Sequence, residues 1–169
     1  TICTLFLAVT MPDSIEYNSK GLVINMDIKT QNDIKTQLYY LTEGQTEYVS
    51  SQCKDVKLKA SAEYQTLSYK IPVDKITGLR IDFGETPGYV DIAKLYYFDG
   101  YKEQVVGTDV LDTFFKNQIE GIDINDGVMT IKASNTDPYM SGECNIVYTL
   151  DRSNSRKLIY CGIAFVIIF

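Results

Sequence analysis

The stretch from Ile71 to Phe98 constrains the fold more than any other part of the chain. Between Leu79 and Phe83, apolar side chains alternate with Arg80 and Asp82. This period of two is typical of a strand that has one buried face and one solvated face. The segment 84–88, with the sequence GETPG, then ends the strand, because glycine permits turn dihedrals and proline cannot donate to a ladder.

A second strand is predicted directly after this turn. Val90 and Ile92 share one face, and Leu95 and Tyr97 regain that face if Ala93–Lys94 forms a β-bulge. A bulge inserts one extra residue and so shifts the alternation by one. The two strands and their turn therefore predict a hairpin, to which we expect the other strands to be added.

Short segments with the same alternation follow one another along the rest of the chain. They lie at residues 21–30, 37–42, 54–59, 66–71, 128–133 and 145–150. Asp126–Gly127 is a two-residue turn that favours a tight hairpin. The one helix candidate is Thr108–Lys116, in which we expect Thr108 to cap the first turn. Strands at such spacing predict an all-β sandwich or barrel with two antiparallel sheets.

Composition excludes several classes of function. The 169 residues fit one domain, and a net charge of -6 argues against nucleic acid as a partner, because phosphate binding needs a basic surface. The chain has no His, which removes the commonest general base and the commonest zinc ligand. It has no nucleotide-binding glycine motif either. We therefore predict no catalytic residue, no metal and no cofactor.

Two charge-free apolar runs flank the polar body. Residues 1–12 and 158–169 contain no Asp, Glu, Lys or Arg, and the body at 13–157 is the predicted sandwich domain. A membrane span needs about 20 apolar residues, so each run is interpreted as part of a transmembrane segment cut short. The alternative is that each run is a fully buried strand. The charged residues beside the runs leave the side of the membrane undecided.

The four cysteines divide into two kinds. Cys3 and Cys161 lie in the apolar runs, whereas Cys53 and Cys144 lie in the polar body. If the body is outside the cytoplasm, Cys53 and Cys144 could form a disulfide, and otherwise they are unpaired buried thiols.

Aromatic residues in turns are the candidate binding residues. The chain has 13 Tyr, and Tyr89 beside Gly88 and Tyr139 beside Pro138 are placed on loops. Tyrosine rings stack on sugar C–H groups and their hydroxyls bond to sugar oxygens, so Tyr89, Tyr139 and the neighbouring Asp137 are the predicted carbohydrate-binding residues. The alternative is that these tyrosines are ordinary packing residues.

Carboxylates near strand ends also permit an enzymatic interpretation. The candidates are Asp82, Glu85, Asp91, Asp123, Asp126 and Asp137. Two such groups can hydrolyse a glycoside when the distance between them is suitable and their environments give them different pKa values. The alternative is that they serve turns, because Asp side chains bond to nearby backbone.

Three segments together resemble a known domain family. Residues 77–98, TGLRIDFGETPGYVDIAKLYYF, resemble the "GLRiDpg…pGtveIksIel" segment of extracytoplasmic β-sandwich domains in bacterial multi-spanning membrane proteins of cell-surface polysaccharide assembly, including membrane glycosyltransferases. Residues 37–48 and 131–139 are similar to two further segments of that family, in the same order. The likeness spans residues 20–150, and the matching positions are Arg80, Asp82, Pro87, Gly88, Asp137 and Pro138.

The resemblance implies a jelly-roll fold similar to carbohydrate-binding modules, with transmembrane segments on both sides. It transfers no catalytic residue. We therefore expect a non-catalytic, membrane-associated and extracytoplasmic domain that contacts glycan or lipid-linked saccharide, or that orients a catalytic partner domain. The alternatives are a carbohydrate-active enzyme and a structural or adhesive surface module.

Overall fold

The computed structural model describes residues 21–149, which form two antiparallel sheets. The predicted apolar runs at 1–12 and 158–169, and the domain boundaries beside them, lie outside these residues. The all-β prediction with two antiparallel sheets is confirmed. Among residues 21–149, no helix has the length and apolar composition needed to cross a bilayer.

The strands of the first sheet, sheet A, are β1 (Leu22–Thr30), β4 (Ser61–Ile71), β6 (Gly88–Phe98), β7 (Glu103–Val106), β9 (Ile119–Asn125) and β10 (Val128–Ala133). Their order is β4-β1-β6-β10-β9, with β7 also paired to β6. The strands of the second sheet, sheet B, are β2 (Ile34–Leu41), β3 (Cys53–Leu58), β5 (Lys75–Asp82), β8 (Phe115–Asn117) and β11 (Tyr139–Val147). Their order is β3-β2-β5-β11-β8.

Alternating side chains from both sheets meet in one core. Along β1, every second residue from Leu22 to Thr30 is buried, and Leu79, Ile81 and Phe83 of the predicted core are fully buried. Residues of both sheets belong to the same buried cluster. The sheets therefore pack face to face as a β-sandwich, and each keeps its second face toward solvent.

The central hairpin prediction is wrong. β5 pairs with β2 and β11 in sheet B, whereas β6 pairs with β1, β10 and β7 in sheet A. The segment 84–88 crosses from one sheet to the other instead of folding the chain back on itself. Gly84, at φ 87°, and Gly88, at φ 155°, supply the backbone conformations of this crossing.

Two predictions of local geometry are confirmed. The register of β6 against β1 shifts at Ala93, where Asp27 faces Lys94 and Ile28 faces Ile92, so the predicted bulge is present. Asp126 and Gly127 both have positive φ, and they join β9 to β10 as a two-residue hairpin turn.

The helix is shorter than predicted. Within the described chain the one α-helix is α1 (Thr108–Asp112), and a 3-10 turn forms at Ser50–Gln52. The predicted helix instead gives way to strand β8 at Phe115. The residue before α1 is Gly107, and no side chain caps the first turn, so the capping role expected of Thr108 is wrong.

A pair of buried hydroxyls in the core allows a test of stability. Thr36 Oγ1 donates to Val56 O at 3.0 Å and lies 2.7 Å from the Tyr69 hydroxyl, which must then be the donor of that second bond. Burial raises the pKa of Tyr69 to about 12.

We expect Thr36→Val to lower the free energy of unfolding more than Tyr69→Phe does. The Tyr69→Phe change leaves Thr36 bonded to Val56 and costs about 1 kcal/mol, whereas Thr36→Val leaves a buried phenol without an acceptor and costs about 2–3 kcal/mol. Urea unfolding of both variants measures the difference, and equal losses would contradict this donor assignment.

Candidate functional site

The outer face of sheet B carries two adjacent rows of side chains. The first row runs Cys53, Tyr39, Arg80, Ser141 and Phe115, and the second runs Asp55, Gln37, Asp82, Tyr139 and Asn117. The residues between them on β2, β5 and β11, such as Leu38, Ile81 and Met140, point into the core. The register of five strands thus gathers polar and aromatic residues on one surface.

Arg80 is the centre of this surface. Its Nε donates to Asp82 Oδ1 at 2.7 Å and its Nη2 donates to Asp82 Oδ2 at 2.8 Å. The same Nη2 lies 3.5 Å from Asp137 Oδ1. The guanidinium carbon lies 3.7 Å from the centroid of the Tyr139 ring and 5.3 Å from that of Tyr39. One cation thus contacts two carboxylates and two aromatic rings. Together with Phe115, whose ring contacts Tyr139, we call Arg80, Asp82, Asp137 and Tyr139 the arginine platform.

Asp82 is more buried than its place on the solvated face predicts. The side chain of Asp82 is 9% exposed and that of Arg80 is 24% exposed. Burial raises the pKa of Asp82 above its ordinary value, although the hydrogen bonds and charge of Arg80 act in the opposite direction. The ion pair is therefore costly to hold in the fold, and its bidentate geometry fixes the position of the guanidinium.

Asp137 is exposed but is held in place through its backbone. Its N–H donates to Gln118 Oε1 at 2.8 Å, and its carbonyl accepts from Asn117 Nδ2 at 2.7 Å. The next carbonyl, of Pro138, accepts from Phe83 N–H at 2.9 Å. Gln118 has a φ of 52°, a left-handed conformation that turns β8 into β9 beside this loop. The carboxylate of Asp137 is therefore presented to solvent from an ordered loop.

Phe115 extends the platform with an exposed ring. It is 62% exposed, and its centroid lies 6.1 Å from that of Tyr139 at an interplanar angle of 47°. A tilted pair at this separation is a favourable aromatic contact. The rings of Phe115 and Tyr139 place apolar area next to the Asp137 carboxylate. This combination suits a ligand that has both C–H and hydroxyl groups.

Tyr48 covers the other end of the same face. Its hydroxyl donates to Leu79 O at 2.8 Å and would lie 3.2 Å from a Cβ on Gly78. Burial raises the pKa of Tyr48 to about 12. Since Tyr48 occupies the face beside Gly78, the accessible part of the face is the end that carries Asp82 and Tyr139.

The structure brings together two of the three predicted carbohydrate-binding residues. Asp137 and Tyr139 both contact Arg80 in sheet B. Tyr89 lies on sheet A, where it pairs with Lys132 and is 45% exposed. Tyr89 and Tyr139 therefore belong to opposite outer faces, and one ligand-binding surface does not include both.

The carboxylates named as possible acid and base groups are divided in the same way. Asp82 and Asp137 meet at Arg80, whereas Asp91 and Asp123 lie on strands of sheet A. Asp91 accepts a hydrogen bond from Thr130 at 2.7 Å and contacts Lys29 at 3.2 Å. Within residues 21–149, no three His, Cys, Asp or Glu side chains are grouped so that they could hold a metal ion.

Cys53 and Cys144 are free thiols, so the disulfide considered from the sequence is not formed. Cys53 Sγ accepts a bond from Gln37 Nε2 at 3.6 Å at the edge of sheet B. Cys144 lies in the irregular part of β11, and burial raises its pKa to about 12. At neutral pH its sulfur is therefore protonated and a poor nucleophile.

Sequence reasoning missed Arg80, Tyr39 and Phe115 as site residues. Asp82 is predicted only as one of six possible acid or base carboxylates and, together with Arg80, as a position that matches the resemblance. A signal was present, because an Arg-x-Asp pair on one face of an apolar strand places both charges side by side. Phe115 lies near the end of the predicted helix Thr108–Lys116, and its exposure follows instead from its place in β8.

No protein-family model, curated protein or solved structure matches the chain. The function must therefore be argued from the platform and its surroundings.

Proposed function

We propose that this chain is a non-catalytic saccharide-binding module and that the arginine platform holds the ligand. The observation that carries the proposal is the contact of Arg80 with the Tyr139 ring, beside the exposed Phe115 ring and the ordered Asp137 carboxylate. Ring faces take up the C–H surface of a sugar, and carboxylates accept bonds from its hydroxyls.

The ion pair of Arg80 and Asp82 supports a role in positioning. Both carboxylate oxygens of Asp82 accept from Arg80. A buried ion pair adds little stability compared with apolar residues of the same size. The pair does, however, hold the guanidinium in a single orientation against Tyr139, and a rigid binding surface loses less entropy when a ligand binds.

The charge of the platform selects among saccharides. Arg80 carries one positive charge, and Asp82 and Asp137 carry one negative charge each, so one negative charge is in excess. The whole chain also has a net charge of -6. A neutral or amino-bearing saccharide is therefore the preferred ligand, since an acidic polysaccharide would be repelled.

The setting of the module follows from the resemblance described above and is part of the same proposal. It is a jelly-roll-like, extracytoplasmic domain that the apolar runs at 1–12 and 158–169 attach to a bacterial membrane. There it contacts a glycan or a lipid-linked saccharide, or orients a catalytic partner domain, during cell-surface polysaccharide synthesis. The platform lies at the end of sheet B where Asp82 and Tyr139 pair across β5 and β11.

Binding of the full chain to an array of neutral, amino-bearing and acidic bacterial surface glycans tests this function. We expect Phe115→Ala to weaken binding about fivefold, because an exposed aromatic contact contributes about 1 kcal/mol. Asp137→Asn should weaken binding of amino-bearing glycans more than that of neutral ones, since it removes the excess negative charge.

Tyr89→Ala is the matched control, because it removes an exposed aromatic ring from the opposite sheet. It should leave binding unchanged. Loss of binding in Tyr89→Ala with none in Phe115→Ala would move the site to sheet A, and absence of binding to every glycan would leave only a scaffolding role.

A further inference from the structure

Both ends of the described chain leave the sandwich at one turn. Leu22 N–H donates to Val73 O at 3.0 Å, and Tyr148 N–H donates to Asp74 O at 2.7 Å. The backbones that lead to residues 1–20 and to residues 150–169 are thus bonded to two consecutive residues of the turn between β4 and β5. We call this end of the sandwich the exit end.

The turn between β6 and β7 belongs to the exit end as well. Thr149 donates to Asp99 O through both its backbone N–H and its hydroxyl, each at 2.8 Å. Asp99 in turn accepts from the backbone N–H groups of Tyr101 and Lys102, at 2.8 and 2.9 Å. The tip of this turn is therefore ordered and lies next to the point where the chain leaves.

Exposed apolar side chains are concentrated at this corner. Tyr101 is 70% exposed at the tip of the turn, and Phe98, Val105 and Val23 are exposed on the adjoining part of sheet A. Val105 and Val23 lie close to Phe98 in the sheet. Val105 pairs with Tyr96, which is two residues before Phe98, and Val23 is next to Ile24, which pairs with Tyr97. We call Val23, Phe98, Tyr101 and Val105 the exit-end patch. It combines aromatic and aliphatic groups in the manner of residues at a membrane interface.

We propose that the exit-end patch contacts the interface of a lipid bilayer, an inference that rests on the membrane attachment in the proposed function. Eight residues separate each apolar run from the described fold, at 13–20 and at 150–157. Eight extended residues span at most about 29 Å, so both runs reach the same membrane with the least extension of these segments when the exit end faces it.

Apolar insertion rather than charge accounts for this contact. The segments 72–75 and 98–105 carry Asp74, Asp99 and Glu103 against Lys75 and Lys102. Such a surface has no excess of positive charge with which to select anionic lipids. Zwitterionic phosphatidylcholine is therefore sufficient as the partner.

The orientation also places the arginine platform away from the membrane. Lys75 begins β5 at the exit end, and Arg80 and Asp82 lie five and seven residues further along. At about 3.3 Å per residue the platform is roughly 16–23 Å from the exit end. At that distance from the membrane, the platform can contact a saccharide chain but not a lipid headgroup.

The chain has no Trp, so a single introduced Trp reports its own surroundings. The full chain carrying Tyr101→Trp is reconstituted in phosphatidylcholine vesicles, with and without brominated acyl chains. We expect its emission to shift to shorter wavelength and to be quenched by the brominated lipid. Tyr89→Trp is the matched control, because Tyr89 lies nine residues from Phe98 on β6, about 30 Å away, and it should show neither change.

Each other outcome overturns the inference in a distinguishable way. If the chain floats with the vesicles but Tyr101→Trp is not quenched, the membrane attachment stands and the patch contact is wrong. A blue shift that depends on protein concentration, without quenching, assigns the patch to a second copy or another protein. If the chain does not float, the inference and the proposed attachment both fail, while glycan binding remains a separate measurement.

Discussion

Arg80→Met is expected to lower the free energy of unfolding by about 3 kcal/mol at neutral pH. The change leaves Asp82, which is 9% exposed, without the two charge-assisted hydrogen bonds that it accepts from Arg80. Removing one member of a buried pair costs about 3–5 kcal/mol, and water at the 24% exposed Arg80 side keeps the loss near the lower value. Methionine preserves much of the length of the apolar stem and removes the guanidinium that lies over the Tyr139 ring.

The free energy of unfolding lost in Arg80→Met should depend on pH in the direction expected for the titration of Asp82. Burial already raises the pKa of Asp82 in the native protein, and the variant lacks the Arg80 interactions that lower it. A group with a raised folded pKa loses stability as pH increases from its unfolded pKa, about 3.9, to its folded pKa. Urea unfolding should therefore show a small deficit near pH 4 and a larger deficit at pH 7.

The double variant Arg80→Met, Asp82→Leu provides the matched control. It removes both charges and should recover most of the stability, with a deficit of less than about 1 kcal/mol and little dependence on pH. A double variant as unstable as Arg80→Met would show that packing of the arginine stem, and not the stranded carboxylate, is responsible.

The second large effect is expected for Gly142→Ala in β11. A Cβ at Gly142 would lie 2.7 Å from Cγ and 2.8 Å from Cε1 of the Phe114 ring, and closer still to Cδ1. Phe114 is buried and closes the core where the chain enters β8, so its ring has to move. Overpacking of this kind costs about 1–3 kcal/mol, and we expect a loss near the upper value in thermal or urea unfolding.

Gly121→Ala is the matched control for this prediction. Gly121 also lies within a strand, β9, and no atom is within 4 Å of a Cβ built on it. The change should leave stability unchanged or raise it slightly, because alanine restricts the unfolded chain. Equal losses in the two variants would mean that backbone freedom, rather than the Phe114 ring, sets the cost at Gly142.

Local features of the fold were predictable where a single strand or turn decides them. The alternation of Leu22–Thr30, the bulge at Ala93 and the Asp126–Gly127 turn are all present. Each depends on side-chain period or on the dihedral preferences of one or two residues. Such preferences act over a few residues and are therefore readable without the rest of the chain.

The arginine platform was only partly predictable, because its members are distant in the chain. Asp137 and Tyr139 are predicted from their position beside Pro138, although Tyr139 begins strand β11 and does not lie on a loop. Arg80 reaches them because β11 pairs with β5 in a register that sets Arg80 opposite Ser141 and Asp82 opposite Tyr139. A register between strands nearly sixty residues apart depends on the whole core, and a shift of one residue would turn each of these side chains inward.

The amino-acid pattern of this protein decided that it forms strands, which face of each strand is buried, and that Asp126–Gly127 is a hairpin turn. The tertiary structure decided which sheet each strand joins, and it separated Leu79–Phe83 from Val90–Tyr97 although only a short loop links them. Alternation of apolar and polar residues shows that one face of a strand must pack against other apolar side chains. It does not show which strands pair with it or which sheet it joins. That choice depends on how all the buried side chains fill the space between two sheets, which no local segment contains.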